Sequence, residues 1–476
     1  MNFSHITFLD MAIIVGYLLV MFAVGAIFVK EIKGLDDYYV AGRSLGPVVL
    51  MATVCATTVG GSAMMGRAGL GYTNGIECVI TAIPYILGMI VFSGISGRIQ
   101  RVGCKYGVKS IPDLFDKRFG KTAKCILSAM IAFAMTGTVA AQVTATATIV
   151  KMLGGQFGIS YEMGAFIATV VFLFYTASSG MFGVVYTDVI QFFMMVVFVY
   201  IAIPVASAVH VGGIDVFWSN LDKNYLVPHI DGNILGDIVT YLVYTMAGAE
   251  MWQRAFAAKT SKIAKRGMLC GTIVYSVMIV LVLFIGLIAQ QILPNVYAEY
   301  GSTDAVIPAL AVTMLPAGIT GLSLAGILSA LMSTSDSYLL VSMQAVVHDI
   351  GRTVFPELTE KQEIRYSRIV SVFISFGALF IALYIKSAYD VLMFAWSFYA
   401  ASAGIPSVAA LFWKKATTPG ILSGMIGGFA TTVGWKLAGT PFGIGETVPG
   451  AIVCSILLVS VSLKTHNQTP SKFLEA

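Results

Sequence analysis

The chain has 476 residues, of which 57% are hydrophobic and 11% charged, with a net charge of +5 at neutral pH. No soluble domain of this size has that balance, and the modest positive charge needs no nucleic-acid partner to explain it. The composition predicts an all-α polytopic membrane protein. Lipid leaves spanning backbone only helices or closed barrels, and no run of short alternating strands is present.

Thirteen apolar stretches approach or exceed the roughly 20 residues that a bilayer requires. They lie near 10–29, 46–72, 76–97, 123–150, 162–181, 184–210, 234–256, 267–292, 317–349, 366–386, 389–412, 417–438 and 447–464. No Lys or Arg precedes the first stretch, so a cleaved signal peptide is not expected. With the N-terminus outside, 24 of the 29 Lys and Arg residues, Arg254 among them, fall on inward loops and span ends. That asymmetry predicts an outside N-terminus, a cytoplasmic C-terminus and a multi-pass protein of the cell (inner) membrane. The six cysteines show neither a paired extracellular spacing nor a CxxC metal motif. The outward loop 211–233 carries Trp218, Asp222, His229 and Asp231, and reads as a lid or as a connector.

The second span contains Ala56-Thr57-Thr58-Val59-Gly60-Gly61-Ser62. Adjacent glycines at mid-membrane either let the helix unwind, freeing carbonyls for a cation, or permit close helix packing. Arg67 follows in the outer half of that span. It reads as a counter-charge for an anionic solute group or as a snorkelling residue. Gln142 is mid-span in the fourth stretch, where it lines a cavity or bonds a neighbouring helix. Asp188 opens the sixth span, as a functional carboxylate or as a first-turn residue favoured by the helix dipole.

The seventh span is interrupted by small residues at Tyr244-Thr245-Met246-Ala247-Gly248-Ala249-Glu250. It stands five spans after the first interruption. Paired interrupted helices in corresponding positions of two halves mark transporter binding sites. The ninth span carries the polar run Ser329 to Ser337. Ser333, Asp336 and Ser337 are spaced i, i+3, i+4 and share one helix face, with hard oxygen donors that suit Na+. An aspartate at membrane depth costs about 2.5–3.5 kcal/mol on insertion scales, so a compensating cation is expected there. Tyr244, Trp252, Trp396 and Tyr399 are candidates for gating or stacking, or for packing.

Four segments carry a resemblance. They are Asp36-Asp37-Tyr38-Tyr39-Val40-Ala41-Gly42-Arg43, Tyr186-Thr187-Asp188-Val189-Ile190-Gln191, Gln253-Arg254 with Ala257-Ala258-Lys259, and Met332-Ser333-Thr334-Ser335-Asp336-Ser337. In this order and frame the chain resembles the sodium:solute symporter family, in particular its bacterial proline and pantothenate permease-type members. The resemblance implies a LeuT-type fold with inverted five-helix repeats. The corresponding division is a peripheral helix and linker at 1–45, a first repeat at 46–210, the outer loop at 211–233, a second repeat at 234–412 and two peripheral helices with a short tail at 413–476.

The resemblance also implies one Na+ held by the carbonyls of Ala56, Val59 and Ala330 and the side chains of Ser333 and Thr334. Some members bind a second Na+, which here would involve Asp188, Ser333, Asp336 and Ser337. Family solute contacts map onto Thr58, Ser62, Arg67, Gln142, Tyr244, Glu250 and Trp396. The expectation is secondary-active import of a small organic solute coupled to Na+, with no organic cofactor and no enzymatic activity. Arg67 favours a carboxylate-bearing solute such as an amino acid. The aromatics favour a quaternary amine such as choline. Proton coupling is the alternative for the ion, and a sensor or channel the alternative for the class. The sequence does not give the oligomeric state.

Overall fold

The computed structural model describes residues 6–154, 158–228, 232–385, 387–467 and 472–474. The architecture is helical throughout. Among the described residues, nine helices are long and apolar enough to cross a membrane, and ten with one bent pair. The other three expected intervals also hold helices. They are 161–179, the pair Gly232–Ala247 and Ala249–Ala257, and Thr418–Leu437.

In chain order the first elements are α1 (Phe8–Phe28), α2 (Leu35–Val40) and the bent pair α3 (Pro47–Thr58) and α4 (Ser62–Asn74). Then come α5 (Glu77–Tyr106), a surface helix α6 (Ile111–Phe119) and α7 (Lys121–Gly154). The next segment is helical from Tyr161 and is broken at Gly180, giving α8 (161–179) and α9 (Gly180–His210). Gly180 takes a left-handed φ of 54° against the ring of Tyr38, where a side chain has no room. The second half holds α10 (Gly232–Ala247), α11 (Ala249–Ala257), α12 (Ser261–Ile292), α13 (Val306–Met314), α14 (Ile319–Val354), α15 (Glu360–Tyr384) and α16 (Ala388–Phe412). Two more helices close the chain, α17 (Thr418–Leu437) and α18 (Thr447–Thr465).

Burial orders these helices. In the most apolar window of α14, 94% of residues are buried, against 22% in α1. The polar run of the sequence therefore sits on the central helix, and α1 mostly faces lipid. One buried side chain links the two. Asp10 caps its own helix through Thr7, and its Oδ1 accepts from the backbone N–H groups of Gly318 and Gly321, both at 2.8 Å. The carboxylate so satisfies the otherwise orphaned amides that open α14.

Pro47 starts α3 at a position where its missing N–H costs nothing. The helix ends at Thr58, Val59 leaves helical geometry (φ −91°, ψ 72°), and the chain resumes through a turn of π-helix, bent by 66°. The two sequence readings of the glycine pair are both realised. The helix is interrupted, and the packing admits no Cβ. At Gly60 one would meet Thr334 Oγ1 at 2.7 Å, and at Gly61 the methyl of Ala145 at 2.5 Å. A freed amide finds a partner, since Gly61 N–H donates to Gln142 Oε1 at 2.6 Å.

The second break lies at Gly248 (φ −51°, ψ 98°), between α10 and α11. Here too the loosened carbonyls are occupied. Trp252 Nε1 donates to Met246 at 3.0 Å and the Tyr399 hydroxyl to Ala247 at 2.6 Å. The two broken helices are stitched together at one end. Leu45 N–H donates to Ala257 and Leu45 C=O accepts from Lys259, each at 3.1 Å.

The lysine- and arginine-rich end carries its own network. Arg118 of α6 donates to the carbonyls of Ala409 (2.9 Å), Ala410 and Trp413, closing the C-terminus of α16. His348 joins Glu363 Oε1 at 2.6 Å to Asp113 Oδ2 at 3.2 Å, and Lys124 reaches Asp113 at 2.9 Å. Burial works to raise the Asp113 carboxyl, but the cationic His348 and Lys124 beside it hold it well below the usual carboxylate range. On the opposite side, loop 211–233 carries a short helix, Ile214–Asn220, whose Phe217 packs on Leu287 and Ile288. His229 and Asp231 lie outside the described residues.

Candidate functional site

Three groups of side chains meet around the α3–α4 break. The first is made of hydroxyls and carbonyls. Ser333 Oγ donates to Ala56 O at 2.8 Å and to Ala330 O at 3.1 Å. Thr334 Oγ1 donates to Thr57 O at 3.1 Å and, more weakly, to Ala56 O at 3.4 Å. Ala56, Ala330, Ser333 and Thr334 are thus brought together, and Val59 is buried at the break next to them. The chemistry fits a small alkali cation. Neutral oxygen donors on two helices are already converging, and each hydroxyl has a lone pair to turn inward.

The second group is charged. Asp188 is fully buried on α9. Its Oδ2 accepts from Thr53 Oγ1 at 2.5 Å and pairs with Arg254 Nη2 at 3.2 Å. Arg254 also donates to Ser337 Oγ at 2.6 Å, to Thr57 Oγ1, and through Nε to Thr53 Oγ1 at 3.0 Å. The first-turn reading of Asp188 as a solvated cap does not hold, because the carboxylate lies inside, far along a helix that begins before it. Counting Arg254 among the inward loop charges is also corrected. All nine residues of α11 are buried and the guanidinium points into the core. Ser337 belongs to this cluster. Asp336, one residue earlier, is buried and acts electrostatically on the Tyr17 hydroxyl of α1, as Asp188 does.

The third group lines a small cavity on the α4 side of the break. Thr58, Ser62, Arg67, Gln142 and Trp396 line it as the sequence expects. Tyr244 and Glu250 do not. Tyr244 lies behind Trp396, stacked at 3.7 Å between ring centroids, and its hydroxyl donates to Glu250 Oε2 at 3.2 Å. Sequence reasoning missed several walls of this cavity, namely Tyr85, Thr138, Tyr241, Tyr275 and Tyr338. Trp396 Nε1 donates to Thr138 Oγ1 at 3.0 Å, which fixes the indole edge-on to Tyr241 and parallel to Tyr85.

Arg67 is 2% exposed. Its Nη1 donates to Cys78 O at 2.7 Å and to Thr81 Oγ1 at 3.0 Å, and its guanidinium lies 5.0 Å over the Tyr241 ring. Tyr241 and Tyr275, both neutral phenols, line the same cavity beside it. It does not snorkel. A guanidinium in that setting has the charge and the planar donor geometry to pair with an anion.

Known proteins resemble this chain in sequence and in fold. The sequence profile of the sodium:solute symporter family matches residues 38–428. The osmoregulated proline transporter OpuE of Bacillus subtilis (strain 168) is 26% identical over 477 residues, covering 96% of this chain and 95% of that protein. The sodium/pantothenate symporter of Haemophilus influenzae is 27% identical, covering 89% and 90%. The sodium/proline symporter of Escherichia coli (strain K12) is 27% identical, covering 94% and 91%. Among solved structures, a substrate-bound, outward-open Na+-coupled sialic acid symporter superposes with a TM-score of 0.82 at 19% identity, covering 99% of this chain and all of that one. A nucleobase-cation-symport-1 family transporter in a closed conformation superposes with a TM-score of 0.63 at 12% identity, covering 91% and 95%. The fold is of the LeuT type.

Proposed function

The chain belongs to the sodium:solute symporter family, and we propose that the solute it carries in with Na+ is small and bears a carboxylate. As a member of that family it is a Na+-coupled multi-pass membrane transporter and not an enzyme. The observation that carries the solute class is Arg67, a buried guanidinium that lines the cavity and is bonded, among the described residues, to neutral groups. In this reading the solute carboxylate pairs with Arg67, with Thr58 and Ser62 nearby as hydroxyl donors. The body of the solute lies against Trp396 and Tyr85. A quaternary amine would place one cation beside another at low dielectric, which disfavours the choline-type alternative.

Na+ binds the carbonyls of Ala56, Val59 and Ala330 with Ser333 and Thr334. It replaces the present hydroxyl–carbonyl bonds and holds α3 to α14. That order prepares the cavity, because Thr334 abuts Gly60 and Gly60 abuts Gln142. Solute binding then closes the outer side, and rocking of the broken helices opens the inner one. Each net positive charge moved inward gains roughly 2.3 kcal/mol per 100 mV. The core is read as two repeats, 46–210 and 234–412, a division supported by the matching breaks at 59–61 and 248. An outside N-terminus follows from the basic residues clustered at one end of the bundle.

The test is thermal stabilisation of the purified protein by a library of amino acids, other carboxylates, sugars and choline-type amines, in Na+ and in K+. Hits confined to carboxylates, present only in Na+ and lost in Arg67→Gln, are expected. Hits without a carboxylate, or hits that survive Arg67→Gln, would overturn the solute class. A pH-sensitive hit indifferent to Na+ would assign the coupling to protons.

A further inference from the structure

Arg254 stands where a cation is wanted. Its Nη2 lies at the meeting point of Asp188 Oδ2, Ser337 Oγ and Thr57 Oγ1, three oxygens from three helices. The opposite edge of the same guanidinium, Nη1, donates to the backbone carbonyl of Glu250 at 3.2 Å. Glu250 is four residues earlier on the same short helix, so its carboxylate and the guanidinium share a face.

Both carboxylates are fully buried, and each has one oxygen without a hydrogen-bond partner, Asp188 Oδ1 and Glu250 Oε1. Buried orphan acceptors of this kind are costly, more so when ionised. Two carboxylates against one guanidinium also leave a net charge of −1 in a medium that tolerates little of it. The group is therefore one monovalent cation short, and the guanidinium sits within reach of two alternative partners.

We propose that Arg254 is a tethered cation that competes with Na+ for Asp188, and that Glu250 receives its guanidinium when Na+ takes its place. With no ion at Asp188, Arg254 fills the position, as seen here. When Na+ enters, Asp188, Thr53, Thr57 and Ser337 supply its oxygens. Arg254 then turns by side-chain rotation toward the Glu250 carboxylate, whose orphan oxygen accepts it. The exchange involves no bond chemistry, only a change of partner. It has a mechanical consequence, because the hydrogen bonds of Arg254 to Thr57 and Ser337 tie α11 to α3 and α14. Their release frees the half-helix at the lysine- and arginine-rich end. This inference rests on the Na+ coupling stated above and adds the part that senses the ion.

The experiment measures Na+ binding alone, by Na+-dependent thermal stabilisation and by radiolabelled Na+, on the full-length protein without solute. Glu250→Gln keeps the Tyr244 contact and removes the charge that draws Arg254 away. Its half-saturating Na+ concentration is expected to rise at least tenfold, with a lower Hill coefficient. Arg254→Gln removes the competitor, so Na+ should bind several-fold more tightly than in the wild type. The double variant should behave as Arg254→Gln does, because Glu250 acts only through Arg254. A merely structural Glu250 would instead add its own loss of Na+ affinity to the gain from Arg254→Gln. Unchanged Na+ binding in Glu250→Gln, or additivity in the double variant, overturns the exchange while leaving Na+ coupling intact. A wild-type protein that binds no Na+ at all overturns the coupling as well. Should Arg254→Gln fail to fold, the Glu250→Gln result alone decides.

Discussion

Two of the buried arginines stand beside the helix breaks, and their surroundings differ in one respect. Arg254, on the half-helix after the Gly248 break, has a carboxylate partner in Asp188. Arg67, on the half-helix after the Gly60–Gly61 break, has backbone, hydroxyl and aromatic neighbours and, among the described residues, no such partner. Each sits beside one of the two interruptions. On the proposed reading, Arg254 takes part in an ion equilibrium inside the protein, whereas Arg67, which also lines the cavity, pairs with the solute.

Removing the paired arginine tests this contrast most severely. Arg254→Met leaves Asp188 buried and uncompensated, which costs about 3–5 kcal/mol. The loss should show as a lower unfolding temperature in detergent. It should be smaller in Na+ than in a Na+-free buffer, and equal losses in both would remove the distinction between the arginines. Arg67→Gln is expected to leave stability and Na+ binding near normal. It should weaken solute binding by about 1.5–3 kcal/mol, the range of hydrogen bonds to charged groups, or roughly 10- to 100-fold. Competition binding of the solute checks this.

Gly61→Ala strains the geometry that separates the two regions. The new methyl would press on Ala145 and Leu331 and crowd Gln142. About 1–3 kcal/mol of stability should be lost, with both Na+ and solute binding weakened together. The smallest effect is expected for Ser333→Ala. Loss of one neutral oxygen should weaken Na+ by about 1 kcal/mol, some five-fold, read from the Na+ dependence of uptake. An unaltered Na+ dependence in that variant would move the ion away from Ala56 and Ala330.

Much of the fold was legible because lipid forces it. Long apolar stretches can only be helices, and breaks at glycine pairs stand out against them. The spans at 232–257 and 418–437 are interrupted or rich in glycine and threonine, yet their apolar residues still mark them in the sequence. Ser333 and Thr334 were readable because hydroxyls on one face of a membrane helix are conspicuous. Arg254 was misplaced for an instructive reason. Counting basic residues near span ends treats each as an anchor at the interface, yet α11 is a short buried piece whose end never leaves the protein. The signal available was Glu250 four residues earlier in an otherwise apolar stretch. The tyrosines around Arg67 carried no signal at all. Single tyrosines in apolar helices are ordinary packing residues until the helices that bear them converge.

The carboxylate of Asp10 has a history as well as a place. Its amide partners at Gly318 and Gly321 stand 308 and 311 residues further along the chain. Until α14 is made, Thr7 is the one of these partners that can satisfy the acid on α1. Its docking partner arrives after most of the bundle has been synthesised. The contact that locks α1 is therefore among the late ones to form, and its presence at the N-terminal end of α14 reports that the helices between them are in place.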